Sequence, residues 1–463
     1  MRILHVTHQF LPRHRAGVEV YTSRLAKLQQ ELGHEVFVAT TDDDQGIAEG
    51  EIRQAPWSDV PVFRIGHLRV ARTPQDSLGL SRVDRAFEAI LDQVRPDVVH
   101  LQHLMYVGLA AAKAIAERGI PSVMTLHEYW LLCARGGQLL MEDGTRCDGP
   151  QDSVCARCLR TFRFGRSPTE GRLASLLFKN DWLRSELFPR LKRIRQRFPR
   201  RGTVPCGDDL TDMKAWLAER RDAVHRVLAD VDQFLSPSEF LKRRFAAAGW
   251  PEERILYSPY GVGPLEGLRA ADQRPARSGP LRVGFLGSLV PQKGAHVLAQ
   301  AHQLVPEGLL QVSYHGSSRS DPAYFRRLKS SARMSESSFP GAFPGGDAGR
   351  VLATLDVVVV PSLWFENAPV VISEAFCAGV PVVASRLGGM QEMVDDFVSG
   401  RLFSPGDSND LASVLENLAS DPEHLRALRE GIKQPRTVMD DALALVSIYE
   451  RLIRKERSHE QSL

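Results

Sequence analysis

Phe365-Glu366-Asn367-Ala368-Pro369-Val370-Val371-Ile372-Ser373-Glu374-Ala375-Phe376 lies between two apolar runs, Val357–Val360 before it and Val380-Pro381-Val382-Val383 after it. The pattern predicts strand, loop, helix, turn, strand. Pro369 falls where the first turn of a helix tolerates proline, and Gly379 where a helix hands over to the next strand. Glu366 then lies in the loop and Glu374 about one turn inside the helix. Between them, the free N–H groups of the helix start form an anion site. Two acids flanking such a site suit a ligand whose phosphates carry hydroxyl-bearing groups on both sides, as those of a nucleotide-sugar do.

Outward from this stretch the chain alternates strand and helix. Leu281–Gly287, Leu310–His315, Asp356–Pro361 and Pro381–Ser385 read as strands of one α/β domain, which begins after the turn-rich stretch 261–280. In the first half, Ile3–Thr7, Glu35–Thr40, Pro96–Leu101 and Pro121–His127 read as strands, with helical periodicity over Gly17–Leu32 and Leu109–Arg118 between them. This βαβ repetition predicts two doubly wound parallel sheets facing across a cleft, each binding ligand beyond the carboxyl ends of its strands. The expected division is 1–262, 281–435, and a helix and tail over 436–463 that packs back on the first domain.

A chain of 463 residues with 43% hydrophobic and 25% charged residues and mean hydropathy −0.21 has room for two or three domains with proper cores. A net charge of +3 points to no polyanionic partner, and without a recognition motif nucleic acid is not expected. No apolar run reaches the roughly 20 residues that span a bilayer. Met1 leads directly into a strand without a signal-peptide layout, so a cytoplasmic location is expected.

Further candidates fall at the strand ends. Gly17 precedes a helix and lets backbone approach a phosphate, although an ordinary βα turn uses glycine the same way. His127 follows a strand and is suited to a sugar hydroxyl or to a structural role. Gly287–Gly294 is a glycine-rich loop without P-loop spacing, and its Lys293 is placed to meet diphosphate charge.

In this order and spacing the residues resemble the family-4 retaining glycosyltransferases of GT-B fold, nearly end to end apart from an insertion. The resemblance is carried by Gly17 and Glu19, His127, Lys293-Gly294, and the Glu366–Glu374 pair. Ala375–Ser385, Leu387–Val394 and the turn Gly400–Asp407 add to it. It implies that Glu374 binds the donor ribose and Glu366 the sugar. Lys293 and the amides of Asn367, Ala368, Pro369-Val370 would hold the diphosphate. Gly17 would approach it from the other domain, and His127 would contact the sugar near the reacting carbon. His127, Lys293 and Glu366 are thus the expected catalytic group. Where the family usually carries an arginine after the strand this chain has Ser288, which shifts diphosphate stabilisation onto Lys293 and the amides. Tyr260-Gly261 departs from a common Asn-Gly pair. The implied reaction moves a hexose-type sugar from a nucleotide-diphosphate donor to a glycan or lipid-linked acceptor without a catalytic metal. Base selectivity is expected around Ala342–Gly346. An epimerase or phosphorylase on the same architecture, or a non-catalytic scaffold, are the alternatives.

A segment of about 133–228 interrupts the first domain. Cys133, Cys147, Cys155 and Cys158 concentrate in its first part, and Cys155-Ala156-Arg157-Cys158 has the spacing of zinc and iron–sulfur ligands. A structural zinc, an iron–sulfur cluster or free thiols all fit; Cys206 and Cys377 stand apart. Farther on, Leu187–Arg195 reads as a basic, partly amphipathic helix, either a solvated face or a surface for anionic membrane lipid.

Overall fold

The computed structural model describes residues 1–43, 47–160, 162–167, 169–171, 210–263, 265, 279–319, 321–343 and 348–460. The basic stretch 187–195, Cys206, most of the turn-rich stretch 261–280, residues 344–346 and the last three residues lie outside these.

Among the described residues the first sheet holds eight strands: β1 (Arg2–Thr7), β2 (Glu35–Asp42), β3 (Ile52–Gln54), β4 (Val62–Gly66), β5 (Val98–Leu101), β6 (Ser122–Thr125), β7 (Gln233–Ser236) and β8 (Ile255–Tyr257). Their order is β3-β4-β2-β1-β5-β6-β7-β8. All neighbours are parallel except β3, which runs antiparallel to β4 at the edge, so the sheet is not purely parallel as expected. The second sheet comprises β9 (Leu281–Leu286), β10 (Leu310–His315), β11 (Ser337–Ser338), β12 (Val357–Val360), β13 (Val382–Ser385) and β14 (Gly400–Phe403). Its order is β11-β10-β9-β12-β13-β14, wholly parallel.

Both sheets reverse their winding direction in the middle, between β1 and β5 in one and between β9 and β12 in the other. Such switch points open a crevice beyond the strand ends. The loops after β1, β5, β9 and β12 therefore face the cleft. The Val-rich strands β12 and β13 are buried on both sides, as a parallel sheet covered by helices requires.

The helix Val438–Glu460 returns to the first domain. Ala442, Leu445 and Tyr449 share a buried cluster with Ile3, Leu25, Val36 and Val98. Asp441 fixes the crossover by accepting hydrogen bonds from Tyr21 Oη (2.9 Å) and the Gly261 amide (3.1 Å). Among the described residues, no helix is long and apolar enough to cross a membrane.

Candidate active site in the interdomain cleft

The C-terminal wall of the cleft is the loop after β12 with the helix that follows, Val370–Cys377, which starts at Pro369 in extended conformation. Glu366 is almost buried there, 7% exposed. Its Oε1 accepts from Lys293 Nζ at 2.6 Å, Ser362 Oγ at 2.8 Å and Trp364 Nε1 at 2.7 Å. Among the described residues no protein group donates to Oε2. Lys293 reaches this carboxylate from the loop after β9, its ammonium 5.5 Å from the Trp364 ring centroid. Gly294 beside it has φ +72°, and a Cβ there would meet the Pro361 carbonyl oxygen at 1.8 Å. Only glycine lets the two loops approach this closely.

A second close approach supports the loop from behind. A Cβ on Gly389 would sit 1.5 Å from the Asn367 carbonyl oxygen, and the Gly389 amide donates to the Glu366 carbonyl at 2.7 Å. Leu387-Gly388-Gly389 thus acts as a seat for Glu366 and Asn367.

Across the cleft, Gly17 opens the helix Gly17–Glu31 and is exposed. A Cβ on it would touch nothing within 4 Å, so the protein itself does not require glycine here. Gly17 and the start of the Val370 helix line the same cavity. The domains also meet directly: Asn367 Nδ2 donates to the His127 carbonyl at 2.7 Å, and Tyr129 Oη to the Phe365 carbonyl at 3.3 Å. Between the walls is a cleft of about 600 Å³ lined by Gly17, His127, Lys293, Glu366 and Asn367–Val370, together with Glu19, Glu128 and Trp364.

The His127 ring is engaged at both nitrogens. Nδ1 is 2.6 Å from Tyr260 Oη, whose ring stacks on the imidazole, and Nε2 is 2.7 Å from Gln102 Oε1. Because the Gln102 oxygen only accepts, the proton belongs on Nε2 and Tyr260 donates to Nδ1. The same polarity continues inward, through the Gln102 amide to His5 Nδ1 (3.3 Å) and His5 Nε2 to Gln29 Oε1 (2.7 Å). Gln29 reaches Tyr449 on the last helix (3.5 Å), which lies 2.5 Å from His100 Nδ1. One directed chain of hydrogen bonds ties the cleft to the C-terminal helix.

These buried imidazoles stay neutral. Burial pushes His5 down to about 4 and His127, with His103 nearby, down to about 3; burial and then Arg69 push His67 to about 4. Below the ordinary value of 6.5 the unfolded chain takes up protons that these sites refuse, so stability falls as pH falls from about 6.5 toward 4. The slope is about 1.4 kcal/mol per pH unit for each such histidine. The melting midpoint should therefore drop by several degrees between pH 7.5 and 5.0. His5→Gln, which can accept from Gln102 and donate to Gln29, should flatten that dependence.

Two expected site residues, Ser288 and Glu374, lie outside the lining of that cavity of about 600 Å³. Ser288 is exposed, and Glu374 lies a turn into its helix, its carboxyl raised by burial and lowered in part by Arg24 of the opposing domain. The four-cysteine metal site is not borne out. Among the described residues no group of three or more His, Cys, Asp or Glu side chains is arranged to hold a metal. The thiols lie near enough to feel one another electrostatically, but Cys133 and Cys147 sit against the large core, and Cys155 against the cluster of Ala156, Leu159, Met213 and Trp216. Cys147 Sγ donates to the Gly149 carbonyl and Cys155 Sγ accepts from the Gln151 amide, both at 3.3 Å. All four are free thiols, and burial raises Cys133, Cys155 and Cys158 above the ordinary thiol range. Sequence reasoning missed Gln102 and Trp364, and took Tyr260 only as a departure from a pattern.

The model of the family described as Glycosyltransferase Family 4 matches residues 15–148, and that of Glycosyl transferases group 1 matches residues 280–421. The amylovoran biosynthesis glycosyltransferase AmsK of Erwinia amylovora is 27% identical over 225 residues, which cover 47% of this chain and 54% of that protein. The chain spans about half the length of the first curated relatives it matches. Sucrose-phosphate synthase from Thermosynechococcus elongatus superimposes with TM-score 0.65 at 17% identity, covering 98% of this chain and 99% of the other. Anabaena HepE in complex with UDP does so with TM-score 0.57 at 16% identity, over 100% of both chains. The fold is GT-B, with halves of the Family 4 and group 1 glycosyltransferase types.

Proposed function

We propose that this chain transfers a hexose-type sugar from a nucleotide-diphosphate donor to a glycan or lipid-linked acceptor, with retention at the anomeric carbon. One observation carries the reading: Lys293, the Glu366 carboxylate and the start of the Val370 helix converge on one cleft opposite Gly17 and His127. A diphosphate at the helix start meets backbone N–H groups and an ammonium, with Gly17 leaving room on the far side. Glu366 Oε2 accepts from a sugar hydroxyl, and Glu374 from the ribose.

Breaking the bond from the anomeric carbon to phosphate puts negative charge on the diphosphate and oxocarbenium character on the sugar. Lys293 and the helix-start amides stabilise the leaving group where its charge grows. In a front-face attack the leaving phosphate oxygen takes the acceptor proton, so Glu366 and His127 position rather than act as nucleophile or base. His127, held neutral with both nitrogens bonded, forms a fixed wall beside the sugar. The matched relatives support this reading by their names, and Anabaena HepE, a fold neighbour, holds UDP, or UDP and glucose.

Glu374→Ala tests the assignment. Calorimetric titration with UDP-, GDP- and ADP-sugars should show a donor that binds the native chain and not the variant, with melting profiles close to one another. Equal binding by both would remove Glu374 from the donor site.

A further inference from the structure

Beside the cleft lies a second cavity of about 130 Å³, which shares Met105 and Gly136 with it as a common border. Aromatic rings of Tyr106, Trp130, Phe162 and Phe164 form much of its wall. Three guanidinium groups, from Arg69, Arg163 and Arg220, line it against one carboxylate, Asp76. Most of this charge is already committed. Arg69 pairs with Asp43 at 3.1 Å, Arg163 with Glu170, and Asp76 accepts from the Arg72 and Thr73 amides at 2.6 and 3.2 Å. His67 Nδ1 accepts from the Arg69 amide at 2.8 Å, which leaves its proton on Nε2 as a further donor.

Arg220 differs from the others. It projects from the helix Leu210–Asp230, is 6% exposed, and donates only to the carbonyls of Leu131, at 3.2 Å, and Trp130. Among the described residues no carboxylate pairs with it, so three of its five N–H groups remain for another acceptor. The guanidinium lies 5.7 Å from the Trp130 ring centroid and feels the charge of Glu128 without bonding to it. A buried cation with no directly bonded carboxylate is costly, and an anion entering the cavity would relieve that cost. A purely structural role, holding the Trp130–Leu131 turn, would need the hydrogen bonds but would not make the cavity select anions.

We propose that this cavity is an acceptor subsite for a sugar bearing an oxyanion, carboxylate or phosphate, with Arg220 as the partner of the charge and the aromatic rings as the platform for the sugar face. The proposal rests on the glycosyl-transfer reading of the adjoining cleft. The anionic sugar then lies next to the one that receives the transferred unit. A uronate and a sugar phosphate present the same chemistry, and titration separates them.

The full chain, with UDP saturating the donor site, is titrated calorimetrically with methyl glucuronide, glucose 1-phosphate and methyl glucoside. One of the anionic probes should bind at least about tenfold more tightly than the neutral glucoside, and Arg220→Met should weaken it by about tenfold or more. UDP affinity should not change in the variant. The tighter of the two anionic probes identifies the source of the oxyanion. If the methionine variant does not fold, Arg220→Lys, which keeps the charge but cannot hold the two carbonyls and an oxyanion at once, should still weaken anion binding several-fold. Equal affinity for the neutral glucoside, no binding of either anion, or unaltered binding in the substituted chain overturns the subsite. Where UDP does not bind, GDP or ADP takes its place, and failure of all three counts against the donor reading alone, because the glucuronide titration can be run without a nucleotide.

Discussion

Methionine in place of Lys293 should lower kcat for sugar transfer by roughly 10²–10³-fold, the loss expected when one donor to a developing oxyanion is removed. Among the described residues that line the cleft, Lys293 is the one lysine or arginine, and Ser288 supplies no second charge. The substitution has a second consequence. Lys293 Nζ lies 2.6 Å from Glu366 Oε1, and without it a nearly buried carboxylate keeps only Ser362 and Trp364 as donors. Because the lysine side chain is 30% exposed, the stability cost should be modest, about 1–3 kcal/mol. Adding Glu366→Gln removes the stranded charge. The double variant should regain much of the lost melting temperature and none of the lost activity. Steady-state kinetics beside thermal melts separate the two effects. Transfer by the single variant at the native rate would exclude the lysine from leaving-group stabilisation.

The second large effect is expected at Gly389, which touches no ligand in the proposed mechanism. An alanine Cβ there would lie 1.5 Å from the Asn367 carbonyl oxygen, and the obstacle is backbone, which has no rotamer to change. Ordinary contact requires the Glu366–Asn367 segment to move by about 2 Å relative to its seat. That motion breaks the 2.7 Å bond from the Gly389 amide to the Glu366 carbonyl and shifts the 2.7 Å bond from Asn367 to His127 across the domains. Displacement of this size in a positioning loop can cost two orders of magnitude in rate, so kcat/KM for the donor should fall about 10²-fold or more. Gly17→Ala is the informative contrast. Its Cβ meets no protein atom, so folding should be untouched and any loss of donor affinity reports on the ligand alone.

Much of this was legible in the sequence, for reasons that differ by element. Strands β1, β2, β5 and β6 and those of the second sheet around β12 and β13 are continuous apolar runs, buried on both sides, and they stand out against their flanks. Strand β3, Ile52-Arg53-Gln54, is short and polar, and β4 hides a buried arginine, Arg64, which pairs with Asp42 at 3.5 Å. Such segments become strands because a neighbour offers an edge, which no local pattern announces. Within the site, the loop and helix around Glu366 were readable because proline, glycine and the flanking strands fix them locally. The contact of Glu366 with Lys293 joins residues 73 positions apart, and that of His127 with Tyr260 joins residues 133 apart. Neither is encoded in spacing. The cysteines show the reverse error: Cys155 and Cys158 have ligand spacing and share one turn of the helix Asp152–Leu159, yet among the described residues no group of three or more ligand side chains is arranged to hold a metal.

The central claim is that the cleft holds a nucleotide-sugar between the two domains, and a thermal-shift panel of nucleotide-sugars tests it most directly. Binding at a hundredfold excess over Kd stabilises the folded chain by about 2.7 kcal/mol, a shift of several degrees. At least one nucleotide-sugar should raise the melting midpoint of the native chain by this amount, and the shift should vanish in Gly389→Ala and Glu374→Ala. A flat response across the whole panel, or a shift that persists in both variants, would contradict the account.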